Sequence, residues 1–223
     1  MNISAPVVIT IDGPSGSGKG TLSRMLARHL GYHLLDSGAL YRLVALAAIK
    51  KGVDLHNELA VSDVATGLDV IFSLKNTGSA QILLEGVGVA DAIRQEAISM
   101  GASQVAAYPG VRMALLERQR AFAVAPGLVA DGRDMGTTVF PNAPTKLFLT
   151  ASAEARAGRR YNQLYAKGES VDMAELVRDI RERDERDSNR TISPLKPAEE
   201  AVIIDSTAMT IDEVFASMLA AIR

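Results

Sequence analysis

The sequence predicts an α/β fold, a central parallel sheet of short strands flanked by helices as a doubly wound open sheet, with a smaller antiparallel patch carried on it. Three observations predict it. Short apolar, β-branched runs alternate with stretches of helical period at both ends of the chain. Between about residues 53 and 108 that alternation gives way to a hairpin pattern. The length of 223 residues supports one substantial core with chain left over for insertions.

The first strand is Val7-Val8-Ile9-Thr10-Ile11, ended by Asp12-Gly13-Pro14, a tight loop signal. From Lys19, Leu22, Met25, Leu26 and Leu30 recur at helical spacing, and Gly31 supplies the stop. A second strand at residues 33–35 leads to a helix with Leu40, Leu43, Val44 and Ala47 on one apolar face and Gly52 as its stop. Residues 70–74 and 81–84, joined through Asn76-Thr77-Gly78-Ser79, read as a hairpin to which residues 87–89 add a third strand. The segment 53–108 is therefore expected to be an insertion on the core. Beyond it come a helix over 112–122, strands over 128–130 and 146–149, and charged helices over 153–167 and 172–189. A strand over 201–204 precedes a last helix whose start carries Thr210 and Glu213 at capping-box spacing. Ligands of such a sheet bind beyond the carboxyl ends of its strands.

Bulk properties exclude several classes. With 24 basic against 26 acidic residues, the net charge of -2 supplies no positive field for a polymeric nucleic acid. Aromatic residues make up 4% of the chain, too few for base-stacking platforms. The absence of cysteine removes disulfides and thiolate metal sites and fits a reducing compartment. Residues 1–6 show no basic segment leading into an apolar stretch, and no apolar run is long enough to cross a bilayer, so a cytoplasmic protein without membrane association is expected. A monomer is expected, since no exposed apolar helix stripe stands out. The histidines His29, His33 and His56 have no metal-ligand spacing and read as structural or surface residues.

Gly13-Pro14-Ser15-Gly16-Ser17-Gly18-Lys19-Gly20-Thr21 sets a glycine-rich turn between a buried strand and a helix start, the context of a phosphate cradle. Glycines let backbone N–H groups converge on an anion, the helix dipole adds about half a positive charge, and Lys19 adds a full one. The general pattern wants Ser or Thr directly after the lysine as a magnesium ligand, but here Gly20 stands there with Thr21 behind it. That order disfavours GTPases and motor ATPases and resembles the loop of nucleoside-monophosphate kinases. No Asn-Lys-x-Asp guanine-reading motif occurs, so ATP is the expected donor.

Four arginine-bearing segments are candidates for a second phosphate site. Asp36 and Ser37 follow the second strand, with Arg42 one turn on; the competing account is an ordinary N-cap and an exposed arginine. Asp131-Gly132-Arg133-Asp134 follows a buried strand, where a loop that recognises ligand outweighs a bland one. Arg156, Arg159 and Arg160 share one helical face, and Arg183, Asp187 and Arg190 another. By themselves, both helices read as solvated surfaces laced with ion pairs; the phosphate loop turns that reading toward phosphate closure.

Taken together, these segments resemble the bacterial cytidylate kinases from Gly13 to the final helix. The resemblance rests on Gly-Pro-Ser-Gly at the loop, Leu-Asp-Ser-Gly-Ala at residues 35–39, Ala-Ser-Gln-Val-Ala at 102–106, Gly-Arg-Asp-Met-Gly-Thr at 132–137 and Arg-Asp-x-x-Asp-x-x-Arg at 183–190. It implies a three-layer P-loop core, a monophosphate-binding insert at about 53–108 with a small antiparallel sheet, and a helical lid at about 153–191. It further implies transfer of a phosphoryl group from ATP, with Mg²⁺, to CMP or dCMP. By matching motif, Ser37, Arg112 and Asp134 become cytosine contacts, Ser103, Arg183 and Asp187 sugar contacts, and Arg42, Arg133 and Arg190 acceptor-phosphate contacts. Lys19, Arg156, Arg159 and Arg160 would serve the transferred group, while Thr21, Asp36 and water are candidates to complete the magnesium shell. The alternatives are a kinase of another small acceptor, such as UMP, AMP or shikimate, and a nucleotide sensor that transfers nothing.

Overall fold

The computed structural model describes residues 6–74, 80–166 and 168–222. The expected turn at Asn76–Ser79, the helix end at Lys167 and most of the segment read for a leader lie outside them. In chain order the elements begin with β1 (Val7–Asp12), α1 (Lys19–Leu30), β2 (His33–Asp36), α2 (Ser37–Lys50) and α3 (Glu58–Thr66). They continue with β3 (Val70–Leu74), β4 (Ala80–Leu84), β5 (Val87–Gly88), α4 (Glu96–Val105), α5 (Pro109–Arg120) and β6 (Gly127–Gly132). The chain ends with β7 (Thr145–Thr150), α6 (Ala153–Tyr165), α7 (Met173–Ser188), β8 (Val202–Asp205) and α8 (Ile211–Ala221). It divides into two compact units, Met1–Asp36 with Gln119–Arg223, and Ser37–Arg118.

The first unit holds a five-stranded sheet in the order β2-β6-β1-β7-β8, every pairing parallel. β6 is buried along its whole length and β1 beyond its first residue, which is why both read as continuous apolar runs rather than alternating ones. Ile9, Ile11, Val129, Leu147 and Leu149 join Leu22 and Leu26 of α1 and Val214 and Met218 of α8 in one core cluster. Gly31 closes α1 in the left-handed conformation expected of it, at φ 67°. Thr210 and Glu213 form the expected capping box on α8. Register places Asp36 opposite Asp131 and Asp12 opposite Gly132, so the polar ends of three neighbouring strands lie side by side.

The second unit joins helices to a three-stranded antiparallel sheet, β3-β4-β5, as the hairpin pattern foretold. Three readings change here. The single apolar face expected of α2 is too narrow, because residues 43–48 are buried without interruption and α2 packs against α3 and α4. A Cβ on Gly101 of α4 would lie 3.4 Å from Cβ of Ala45 and 2.8 Å from Leu55 Cδ1, so small residues set that close approach. Helices α3 and α4 had no counterpart in the sequence reading, although Asn57 caps α3 by accepting from the Ala60 N–H at 3.2 Å. α5 begins at Pro109 rather than Arg112, since proline suits a first helical position where no intrahelical donor is needed.

Candidate active site

The glycine loop leaves the carboxyl end of β1 and curls around its own lysine. At Gly13, with φ 145°, a Cβ would lie 1.9 Å from the Leu149 carbonyl oxygen, so the loop's first turn against β7 admits only glycine. Gly18, at φ 96°, is the N-cap of α1. Lys19 is 5% exposed, and its Nζ donates to the Pro14 carbonyl at 2.6 Å and to Ser17 Oγ at 3.4 Å. Ser17 Oγ donates to the same carbonyl at 3.1 Å. Burial, followed by the nearby Arg133 guanidinium, pulls the Lys19 ammonium down from 10.5 to about 7, against the opposing pull of Asp131 and Asp12. An anion arriving at the loop restores a full charge to a group held ready for it.

Two of the sequence-selected arginines hold this loop from α6. Arg156, 3% exposed, donates through Nη1 to the Ser15 carbonyl at 3.0 Å and through Nε to the Ala151 carbonyl at 2.9 Å, and grips Asp184 of α7 with both Nη atoms. Gly16 is tight against this residue, a Cβ there falling 3.2 Å from Arg156 Cβ. Arg159 donates to the Ser17 carbonyl at 3.3 Å and to Ser206 Oγ at 3.1 Å, while Ser206 Oγ donates to the Thr150 carbonyl at 3.0 Å. Arg160 lies partly exposed on the same helix. Asp184 and Ser206 had no role in the sequence reading. Asp184 sits inside the charged run that was read for other residues, and Ser206 follows β8 with no motif around it.

A second cationic cluster surrounds Asp187 of α7. Arg133 Nε donates to Asp187 Oδ2 at 3.0 Å, and Arg190 Nη1 lies 3.9 Å from Oδ1. Burial acts to raise the Asp187 carboxyl, but Arg133, Arg190 and Arg183 together outweigh it and hold the group below its ordinary range. Asp134, next to Arg133, is 2% exposed. Three arginines around one carboxylate leave a positive excess suited to a phosphate.

The remaining acceptor candidates lie in the second unit. Ser37 opens α2 and is 2% exposed, Arg42 follows on α2, and Ser103 on α4 is 4% exposed. Arg112 of α5 donates through Nη1 to the Ala106 carbonyl at 3.0 Å, with its guanidinium 5.7 Å from the Tyr41 ring centroid.

Two carboxylates to which the sequence reading gave no role of their own, Asp12 and Asp131, flank the lysine. Asp12 accepts from the Met135 and Gly136 N–H groups, each at 2.8 Å. Its burial raises it from 3.8 to about 7, assisted by Asp134 and opposed by those two N–H bonds and by Lys19. Asp131 Oδ2 lies 3.5 Å from where a Gly20 Cβ would stand. Thr21 is exposed and accepts from Arg24 Nη2 at 3.5 Å. Among the described residues no group of three or more His, Cys, Asp or Glu is placed to hold a metal ion, and no helix is long and apolar enough to cross a membrane. His29 meets Phe215 edge-on, His33 Nε2 pairs with the Ala125 carbonyl at 3.0 Å and His56 with Asp54 at 3.0 Å.

The family model described as cytidylate kinase matches residues 9–223. The cytidylate kinase of Pseudomonas paraeruginosa is 60% identical over 220 residues, covering 98% of this chain and 96% of that protein. Those of Pseudomonas fluorescens and Shewanella baltica are 60% and 59% identical, covering 100% and 98% of this chain and 97% and 95% of theirs. A family model matched from Ile9 onward, and relatives this similar from end to end, place the chain in the cytidylate kinase family.

Proposed function

We infer that the chain transfers the γ-phosphoryl group of ATP to CMP or dCMP, giving ADP and CDP or dCDP. The observation that carries this reading is the second cationic cluster, Arg133, Arg183 and Arg190 around Asp187, in the same unit as a complete phosphate loop. A protein that only senses ATP has no use for it; a kinase with a phosphorylated acceptor does.

In this reading Lys19 and the loop amides hold the donor phosphates, and Arg156 and Arg159 keep the loop closed around them while Arg160 covers the transferred group. Arg42, Arg133 and Arg190 hold the acceptor phosphate, and Ser103, Arg183 and Asp187 meet the sugar. Ser37, Arg112 and Asp134 are read as the cytosine contacts. An acceptor phosphate oxygen attacks the γ phosphorus as its bond to the bridging oxygen of ADP breaks. The attacking oxygen is already anionic, so no general base is required. Asp134 accepts from the exocyclic amine of cytosine, where uracil presents an acceptor instead. Two facing acceptors discriminate by up to about 10⁴–10⁵ in a buried site.

The residues fit Mg²⁺ in the form it ordinarily takes, bound through phosphates and water with one or two protein oxygens. Asp131, beside Gly20 and close enough to act on Lys19, is the better placed carboxylate; its register neighbour Asp36 and the exposed Thr21 follow. Mg²⁺, when bound, neutralises charge on the donor phosphates. With this reading go an insert at about 53–108, a lid at about 153–191, a cytoplasmic location and a monomer.

ADP release with ATP and Mg²⁺, offered CMP, dCMP, UMP, AMP, GMP and shikimate separately, tests it. Strong turnover of CMP with little of UMP is the expected result. Equal catalytic efficiency on UMP and CMP removes the base-reading role of Asp134, and ATP binding without turnover of any acceptor leaves the sensor.

A further inference from the structure

Asp12 is the last residue of β1, and the phosphate loop begins at the next residue. Its backbone therefore launches the donor loop, while its side chain reaches residues more than 120 positions later. The carboxylate is 3% exposed and uses both oxygens, Oδ1 on the Met135 N–H and Oδ2 on the Gly136 N–H, each at 2.8 Å. Those donors open the short helical turn Met135–Val139, whose leading N–H groups have no partner within the turn. Thr10, two residues before Asp12 and so on the same side of β1, abuts the same turn: a Cβ on Gly136 would lie 2.9 Å from Thr10 Oγ1 and 3.4 Å from Asp12 Oδ2. Arg133 and Asp134 stand directly before Met135.

We propose that Asp12 is a positioning residue that ties the loop carrying Arg133 and Asp134 to the strand that launches the phosphate loop, setting the acceptor's reading groups in register with the donor. The inference rests on the reading of Arg133 and Asp134 as acceptor contacts. Phosphoryl transfer is sensitive to such register, since a misplacement of about 1 Å costs on the order of 10²-fold in rate. Asp12 is 3% exposed and each of its oxygens is held by a backbone N–H, so its part is to place other groups.

The test is Asp12→Asn, which preserves shape but turns an amide NH₂ toward one of the two N–H groups. Kinetics with CMP and UMP are measured beside equilibrium binding of ATP. We expect KM for CMP to rise roughly tenfold or more, kcat to fall, and the preference for CMP over UMP to narrow, with the Kd for ATP unchanged within about twofold. Equal losses in ATP and CMP affinity, or no change in either, overturn the proposal. If Asp12→Asn does not fold, Gly136→Ala displaces the same donors with the carboxylate in place; the same acceptor-selective loss is expected, and an unchanged KM for CMP refutes it. Asp134→Asn run alongside separates the two failures. Unchanged CMP-over-UMP preference in Asp134→Asn sinks the base-reading site, whereas a collapsed preference there with no effect of Asp12→Asn sinks the role of Asp12 alone.

Discussion

Replacing Lys19 by methionine should make the nucleotide-free protein more stable at neutral pH while destroying its activity. The ammonium is 5% exposed and is pulled from 10.5 to about 7 by burial first and Arg133 second. At about 1.4 kcal/mol for each pH unit between those values, holding it in the fold costs roughly 4 kcal/mol at pH 7. Methionine removes that cost and forfeits the donations to Pro14 and Ser17, worth about 2 kcal/mol, for a net gain of about 2 kcal/mol. The sign reverses with pH. Because the folded value lies below the unfolded one, the wild-type protein binds fewer protons folded than unfolded between about pH 7 and 10.5, and its stability rises across that window. Methionine has no such dependence, so the difference should close by about 3 kcal/mol by pH 9.5, leaving the wild type the more stable. Urea unfolding followed by circular dichroism at pH 7, 8.3 and 9.5, without nucleotide, reads this directly. A variant less stable than wild type at pH 7, or a difference that does not change with pH, refutes the reasoning. Activity of the variant should fall by at least about 10²-fold.

Because Lys19 is largely neutral at pH 8 and a triphosphate favours its charged form, ATP binding should take up about one proton; calorimetry in two buffers of different ionisation enthalpy should give different binding heats, and equal heats would contradict it. Asp184→Ala leaves the buried Arg156 without its bidentate partner and loosens its hold on the Ser15 carbonyl, so stability should fall by about 1–3 kcal/mol, less than for a fully buried pair because Asp184 is 27% exposed. Its Kd for ATP should rise as well, and unchanged values of both would remove Arg156 from loop support. Thr210→Ala breaks the capping box of α8 and should cost about 1 kcal/mol, a Tm lower by about 2–4 °C with activity untouched.

Legibility in the sequence followed distance along the chain. The phosphate loop, the Gly31 stop, the hairpin and the capping box were all readable, because each depends on residues within a few positions of one another. The helices α3 and α4 were not read, although Asn57 is a local N-cap for α3; their apolar residues sit among small and polar ones, and both pack against α2. The near-complete burial of α2 escaped for the same reason: an alanine-rich helix is compatible with one covered face or with several, and its neighbours decide.

Within the candidate site the division is the same. The order of strand, glycines, lysine and helix was enough by itself to mark a phosphate cradle, since backbone N–H groups, a helix dipole and one cation are assembled by consecutive residues. Motif spacing likewise marked Arg133, Asp134, Arg183, Asp187 and Arg190. Only tertiary structure decided that Arg133 meets Asp187, that Arg156 grips Asp184 while bonding the loop, that Ser206 bridges Arg159 to Thr150, and that Asp12 holds Met135 and Gly136. Those partners lie between 28 and 141 positions apart and meet because the parallel sheet brings the carboxyl ends of β1, β6, β7 and β8 together. Electrostatics at the site followed from that assembly, because burial beyond the carboxyl end of the sheet disfavours both charges and so brings Lys19 down and Asp12 up to about 7.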